Sequence, residues 1–164
     1  MSKVLKRLAD AGLTLPEPLK MPPGVVLPFP WVHVRGERIL VSGHGPQEPD
    51  GSLSGPFGQV GAEVDPDTAK VLARKTALAM LGSLHRELGD LDRIAGWVRV
   101  FGMVNSAPGF AQQPAVINGF SEMILDLFGQ DAGRHARSAV GMAGLPFNLA
   151  VEIEAELVLA DPAR

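Results

Sequence analysis

The spacing of apolar residues changes several times along the chain, and each change marks a predicted element. Residues 3–12 carry Val4, Leu5 and Leu8 on one side and Lys3, Lys6, Arg7 and Asp10 on the other, the spacing of a short amphipathic helix. "LPEPLKMPPGVVLPFP" (residues 15–30) follows, with six prolines in sixteen residues. Proline lacks the N–H that helices and ladders require, so this stretch reads as an extended connector over a surface. "WVHVRGERILVSG" (31–43) holds two β-rich runs around Gly36-Glu37, a predicted hairpin. Residues 44–64, rich in Gly, Pro, Asp and Ser, read as a loop with one short strand near Val60. "DPDTAK" then starts a helix, with Asp65 as N-cap, Pro66 at the first helical position and Asp67 in the first turn. Ala73, Ala77, Leu81, Leu84 and Leu88 keep helical spacing up to Gly89, the predicted stop.

The second half repeats the alternation. "RIAGWVRVFGMVNS" (93–106) reads as a strand, with Val98, Val100 and Val104 on one face and Trp97, Arg99, Phe101 and Met103 on the other. A second helix is predicted from Pro114 to Phe128, ending at Gly129 and packing through Val116, Ile117, Phe120, Ile124 and Leu127 or Phe128. "SAVGMAG", a Gly-Leu-Pro turn and the period-two run "AVEIEAELVL" supply two more strands, not expected to pair with each other as a tight hairpin. The order strand–strand–helix–strand–helix–strand–strand predicts one sheet with both helices on one face, an α+β layer arrangement.

Composition narrows the function classes. With 46% apolar and 20% charged residues in 164, the chain is an ordinary globular domain. A net charge of −3 argues against a dedicated nucleic-acid binder, which needs a concentrated basic face. Cysteine is absent, which excludes disulfides, thiolate nucleophiles and zinc-thiolate sites. No signal-peptide core or 18-residue apolar run is present, so a cytoplasmic protein without membrane contact is the expectation.

Few residues carry readable chemistry. The four histidines, His33, His44, His85 and His135, lack metal-ligand spacing, and His85 reads as a surface residue. No hydrolase elbow, P-loop or dinucleotide fingerprint occurs. "SGHGP" (42–46) is either a plain turn or a set of backbone N–H groups facing a small anion. Glu152, Glu154 and Glu156 share one face of the last strand, spaced by about 6.5–7 Å. Glu154 and Glu156 read as a solvent-facing row, while Glu152, just after a turn, is open to a cleft role with a tuned pKa. In "GRHARSAVGMAGLP", Arg134 reads as loop surface. Arg137, at a strand start, is either a surface arginine or a fork for a carboxylate.

Four segments make the pattern specific. "ARSAVGMAGLPFNLAVEIEAELVL" resembles the carboxy-terminal signature of the reactive intermediate deaminase (Rid, YjgF-like) family. "ILVSGHGP", "RVFGMVNSAPGF" and "VINGF" resemble, in order, its early strand, its central strand and the start of its second helix. The likeness covers residues 29–159 and looks closest to a longer branch with an added amino-terminal helix. It divides the chain into a helix and connector (1–28) and a single Rid-like domain (29–164).

The resemblance implies a chorismate-mutase-like (ferredoxin-like related) α+β subunit with a single mixed sheet, assembled as a homotrimer with pockets between subunits. It implies hydrolysis of small carboxylated imines or enamines of the 2-aminoacrylate type to a 2-keto acid and ammonia, without metal or organic cofactor. Arg137 would clamp the substrate carboxylate, Glu152 would serve the attacking water, and the Ala139 carbonyl would lie near that water. Asn118, Ser42, Gly43, Phe29 and Ser138 match further pocket positions. The chemistry needs little more, because an imine carbon is already electrophilic and orientation with one placed water suffices. Phe29 departs from the family by standing where it carries a tyrosine, and Ala139 and Gly141 replace a usual cysteine and a frequent acidic residue. His44 and His135 are candidates to replace the lost hydroxyl. The alternative is a non-catalytic trimer binding small carboxylates such as keto acids. A ribonuclease or translation-inhibitor role fits the acidic balance least.

Overall fold

A computed structural model describes residues 2–160; the last four residues of the expected domain, 161–164, lie outside the described residues. The hairpin expected around Gly36 is present. Strands β1 (Val32–Arg35) and β2 (Arg38–His44) pair antiparallel with Arg35 opposite Arg38, and Gly36 takes a positive φ of 58° in the turn. Helix α2 (Pro66–Leu88) starts where its signals place it: the Asp65 carboxylate accepts from the Thr68 N–H at 2.9 Å, and Gly89 (φ 77°) ends it. The loop before it forms isolated bridges at Val60, and no longer strand.

Strand β3 (Ile94–Asn105), helix α3 (Gln113–Gly133) and strand β4 (Ala136–Met142) form a parallel crossover, and β5 (Val151–Leu159) returns antiparallel between β2 and β3. The sheet order is β1-β2-β5-β3-β4, so β4 and β5 flank β3 and do not pair. Both long helices cover one face, where Ile39, Val41, Val100, Val104, Val151, Ile153 and Leu157 are buried. This is the α+β layering expected from the element order, with the mixed sheet that the resemblance implies. The helices pack tightly at Gly119, where any side chain would run into the Lys70 carbonyl of α2.

Two patterns differ from the expectation. In β3 the pairing shifts by a residue between Trp97 and Arg99, and the alternation restarts there. Trp97 therefore turns to the helices, against Phe120 and Phe128 at 5.7 Å each, while Val98 is left exposed on the other face. Burying the larger ring in the core is the more favourable arrangement. Helix α3 leaves helical backbone at Gly129 (φ 79°) as expected, but a final turn continues to Gly133.

The amino-terminal helix α1 (Lys3–Asp10) buries Val4 and Leu8. The Asp92 carboxylate caps it, accepting from the backbone N–H of Lys3 (2.8 Å) and Val4 (3.1 Å), and Arg7 donates to the Leu127 carbonyl of α3. The proline-rich connector then crosses α2, where Arg86 donates to the Pro16 carbonyl (3.1 Å). His85 beside it is half-buried rather than a surface residue. Among the described residues no helix is long and apolar enough to cross a membrane.

Candidate active site

The edge strand β4 places Arg137 opposite Val100, whose side chain is buried on the helix face of the sheet. From there the guanidinium reaches α3. Nη1 donates to Asn118 Oδ1 (2.9 Å) and to Ser121 Oγ (3.1 Å), and Nη2 donates to the Pro114 carbonyl (3.3 Å). Asn118 and Ser121 stand three apart on the flank of α3, while Ile117, Phe120 and Ile124 fill the core. A cleft of about 350 Å³ opens here, lined by Asn118, Ser121, Gln130, Arg134, His135 and Arg137, with no carboxylate among its lining residues. Arg134 is exposed, as expected of a loop residue, yet it adds positive charge to this cleft. Partial burial pulls the Arg137 pKa down from its ordinary value. An arginine is still charged across the physiological range.

Glu152 begins β5 on the opposite face. Its register partner is Met103, on the side of the sheet away from the helices. Its carboxylate lies over Gly43 so closely that even a methyl group there would overlap it. Burial first, and the neighbouring Glu154 second, push its pKa above the usual carboxylate range. Ser42 donates its hydroxyl to the Pro30 carbonyl (2.9 Å) and its N–H to the Trp31 carbonyl (3.0 Å), fastening the connector to the end of β2. Phe29 meets Trp31 edge to face at 5.9 Å, and Trp31 lies 5.1 Å from His44. His44 is buried and bonded to Ser42 and Ser83, and burial lowers its pKa to about 4.

One chain therefore carries two groups rather than one pocket. Arg137 and Asn118 come together on the helix side of β4. Glu152, Gly43, Ser42 and Phe29 gather around β2 and β5, with Glu152 on the opposite face. Ala139 is packed against the core beneath the helices, and Ser138, opposite Phe101, faces the other way. Ser121 and the Pro114 carbonyl join the first group without having been expected there. Ser121 had one readable signal, its place one helical turn after Asn118. Of the two histidines considered as replacements for a hydroxyl, His135 reaches the arginine group through Ser121, whereas His44 is buried under the sheet. Among the described residues no three acidic or histidine side chains gather to share a metal ion.

This α+β layering is that of a YjgF-like subunit. The chain belongs to that family, the reactive intermediate deaminases: a model described as "YjgF/chorismate_mutase-like, putative endoribonuclease" matches residues 5–157. It is 42% identical over 120 residues to Protein TCP17 of Trypanosoma cruzi, covering 73% of this chain and 74% of that protein. The crystal structure of Atu1372 from Agrobacterium tumefaciens, a protein of unknown function, superposes with a TM-score of 0.85 at 37% identity, over 96% of this chain and 93% of the other. The yjgF gene product of Escherichia coli shares the fold, with a TM-score of 0.57 at 23% identity over 83% and 91% of the two chains.

Proposed function

We propose that the protein is a homotrimeric hydrolase of small carboxylated imines and enamines, with each active site completed across a subunit boundary. The observation that carries this reading is the state of Arg137. Three of its five N–H groups are engaged by α3, which leaves Nε–H and one Nη2–H beside the cleft. Two adjacent donors on a rigid cation match the two oxygens of a carboxylate. A neighbouring subunit supplies the second group, Glu152 with Gly43, Ser42 and Phe29.

The reaction balances with these groups, one water and one proton from solvent. Protonation of 2-aminoacrylate at its terminal carbon gives the 2-imino acid. Water adds to the imine carbon while Glu152 takes its proton and hands it to the nitrogen, and the carbinolamine then expels ammonia as its hydroxyl proton passes back to Glu152, which leaves pyruvate. A carboxyl group with a raised pKa suits both proton transfers near neutral pH. The water lies near the Ala139 carbonyl, and Asn118 completes the pocket wall beside Arg137, while Ser138 faces the other side of β4.

One observation favours a second reading, binding without turnover: the sequence has no tyrosine, and Phe29 cannot supply a hydroxyl to the site. The endoribonuclease in the family's description would require a basic surface to hold phosphates, and a chain of net charge −3 suits it poorly. The test follows ammonia release from freshly generated 2-aminoacrylate. Arg137→Ala should lower kcat/KM by about 100-fold, roughly 2.7 kcal/mol, with the assembly intact. Equal rates in wild type and variant, with pyruvate still bound by wild type alone, would leave the binding reading standing.

A further inference from the structure

We propose that Ser121 and His135 form a positioning pair that fixes the orientation of Arg137 and couples anion binding to proton uptake at His135. This rests on Arg137 being the carboxylate clamp. The geometry is a chain of hydrogen bonds whose direction is determined from one end. His135 Nδ1 lies 2.8 Å from the Gly133 carbonyl, which can only accept, so Nδ1 carries the proton. In the neutral ring Nε2 is then an acceptor, and Ser121 Oγ, at 2.9 Å, donates to it. The serine oxygen is left with its lone pairs, and one of them accepts from Arg137 Nη1 at 3.1 Å.

Each partner is restrained in turn. Ser121 sits on α3, and His135 packs beside Trp97, with ring centres 6.5 Å apart. A hydroxyl whose proton is committed to His135 cannot rotate to donate toward the cleft, so it presents only an acceptor to the guanidinium. Asn118 and the Pro114 carbonyl could hold Arg137 in more than one rotation; the third contact, at a fixed angle, selects one. The fork left for the carboxylate is thereby set before the ligand arrives, which lowers the ordering cost of binding.

The same chain gives a pH dependence. The charged groups that line the cleft with His135 are Arg137 and Arg134, and the proposed assembly would add Glu152 of the neighbouring subunit. Burial lowers the His135 pKa most, the bond to the Gly133 carbonyl partly offsets it, and the Arg137 charge lowers it further. A carboxylate on Arg137 offsets that positive charge and makes protonation of His135 easier. The added proton goes to Nε2, which then donates to Ser121 Oγ. The oxygen still accepts from Arg137, and its freed O–H turns to the bound anion, so by linkage affinity for the anion rises as pH falls through the His135 range. Glu152 titrates in the same direction, and His135→Gln separates its contribution from that of His135.

The test is calorimetric binding of pyruvate to the intact assembly from pH 8 to pH 5.5. Oligomeric state and melting temperature are checked for each variant. Ser121→Ala should weaken binding about tenfold at pH 8, and Ser121→Thr, which restores the hydroxyl, should return it to within about twofold. Wild type should gain about fivefold in affinity between pH 8 and 5.5, and His135→Gln should lose at least half of that gain. Wild-type affinity in S121A, or an unchanged pH slope in H135Q, overturns the inference while Arg137→Ala still abolishes binding. Undiminished binding by Arg137→Ala overturns the clamp itself, and the inference with it.

Discussion

Gly43 is small because Glu152 needs the space. Its φ lies outside the left-handed region, so the backbone would accept an alanine without strain. The obstacle is the Glu152 carboxylate alone, the free end of a flexible side chain. Gly43→Ala should therefore push the carboxylate aside at a stability loss of about 1 kcal/mol or less, yet lower kcat by about tenfold. Denaturant titration and steady-state kinetics on one preparation check both halves. A variant with normal kcat, or one whose loss lies wholly in KM, would show that the position of this carboxylate does not govern the chemistry. The two arginines of "GRHARS" part at this scale as well. Arg134 remains exposed, while Arg137 is held by three acceptors on α3.

Strand β2 ends in a bulge that carries His44 under the sheet, between the Ser42 carbonyl at 2.6 Å and the Ser83 hydroxyl of α2 at 2.9 Å. This joins an edge hairpin to the long helix through a neutral ring. Burial lowers the His44 pKa to about 4. The unfolded chain binds a proton near pH 6.5, whereas the folded one resists it down to about pH 4. The stabilisation is therefore complete above about pH 6.5 and is lost as pH falls toward 4, by about 3 kcal/mol in all. Urea unfolding at fixed protein concentration, run across this range for wild type and His44→Gln, should give a visibly shallower pH dependence in the variant. Parallel curves would mean that the ring takes up its proton without opening the bulge.

The elements also show what sequence could carry. Helix α2 was legible because Asp65, Pro66 and Gly89 are local signals, and β5 because its alternation is unbroken. The face of Trp97 was not, because a bulge resets the period and nothing within β3 announces it. The separation of Arg137 from Glu152 was hidden for a related reason. Strand β4 is built of small residues, "ARSAVGM", and has no polar–apolar alternation to say which face Arg137 takes. Only its parallel register on β3, with Val100 opposite, decides it. The bond between Ser121 and His135 spans a helix end, and nothing in the local spacing of polar and apolar residues announces that pair.

At the scale of the molecule, the sheet has one face covered by helices and one that is not. The open face carries Leu40 and Val98, exposed at 38% and 43%, with Phe101, Met103, Val140 and Val158 half-buried beside them. Arg99 lies over the Phe101 ring at 5.6 Å, and Arg38 pairs with Glu156 at 2.7 Å. A face with this much exposed apolar surface, and with Glu152, Glu154 and Arg99 left without an ion pair among the described residues, suits an interface between copies better than it suits water. It is also the face that bears Glu152, while Arg137 stands at the sheet's edge on the other side. A closed ring of subunits would bring the Glu152 group of one to the Arg137 cleft of the next, which a single subunit cannot do for itself. Mixing tests this directly. Arg137→Ala and Glu152→Gln should each be nearly inactive alone. After the two are unfolded together in equal amounts and refolded, an interface is restored when its arginine comes from the glutamate variant and its glutamate from the arginine variant. Random assembly makes that about a quarter of all interfaces, so activity should return to about a quarter of wild type. If each site were built within one chain, the mixture would stay as inactive as its parts.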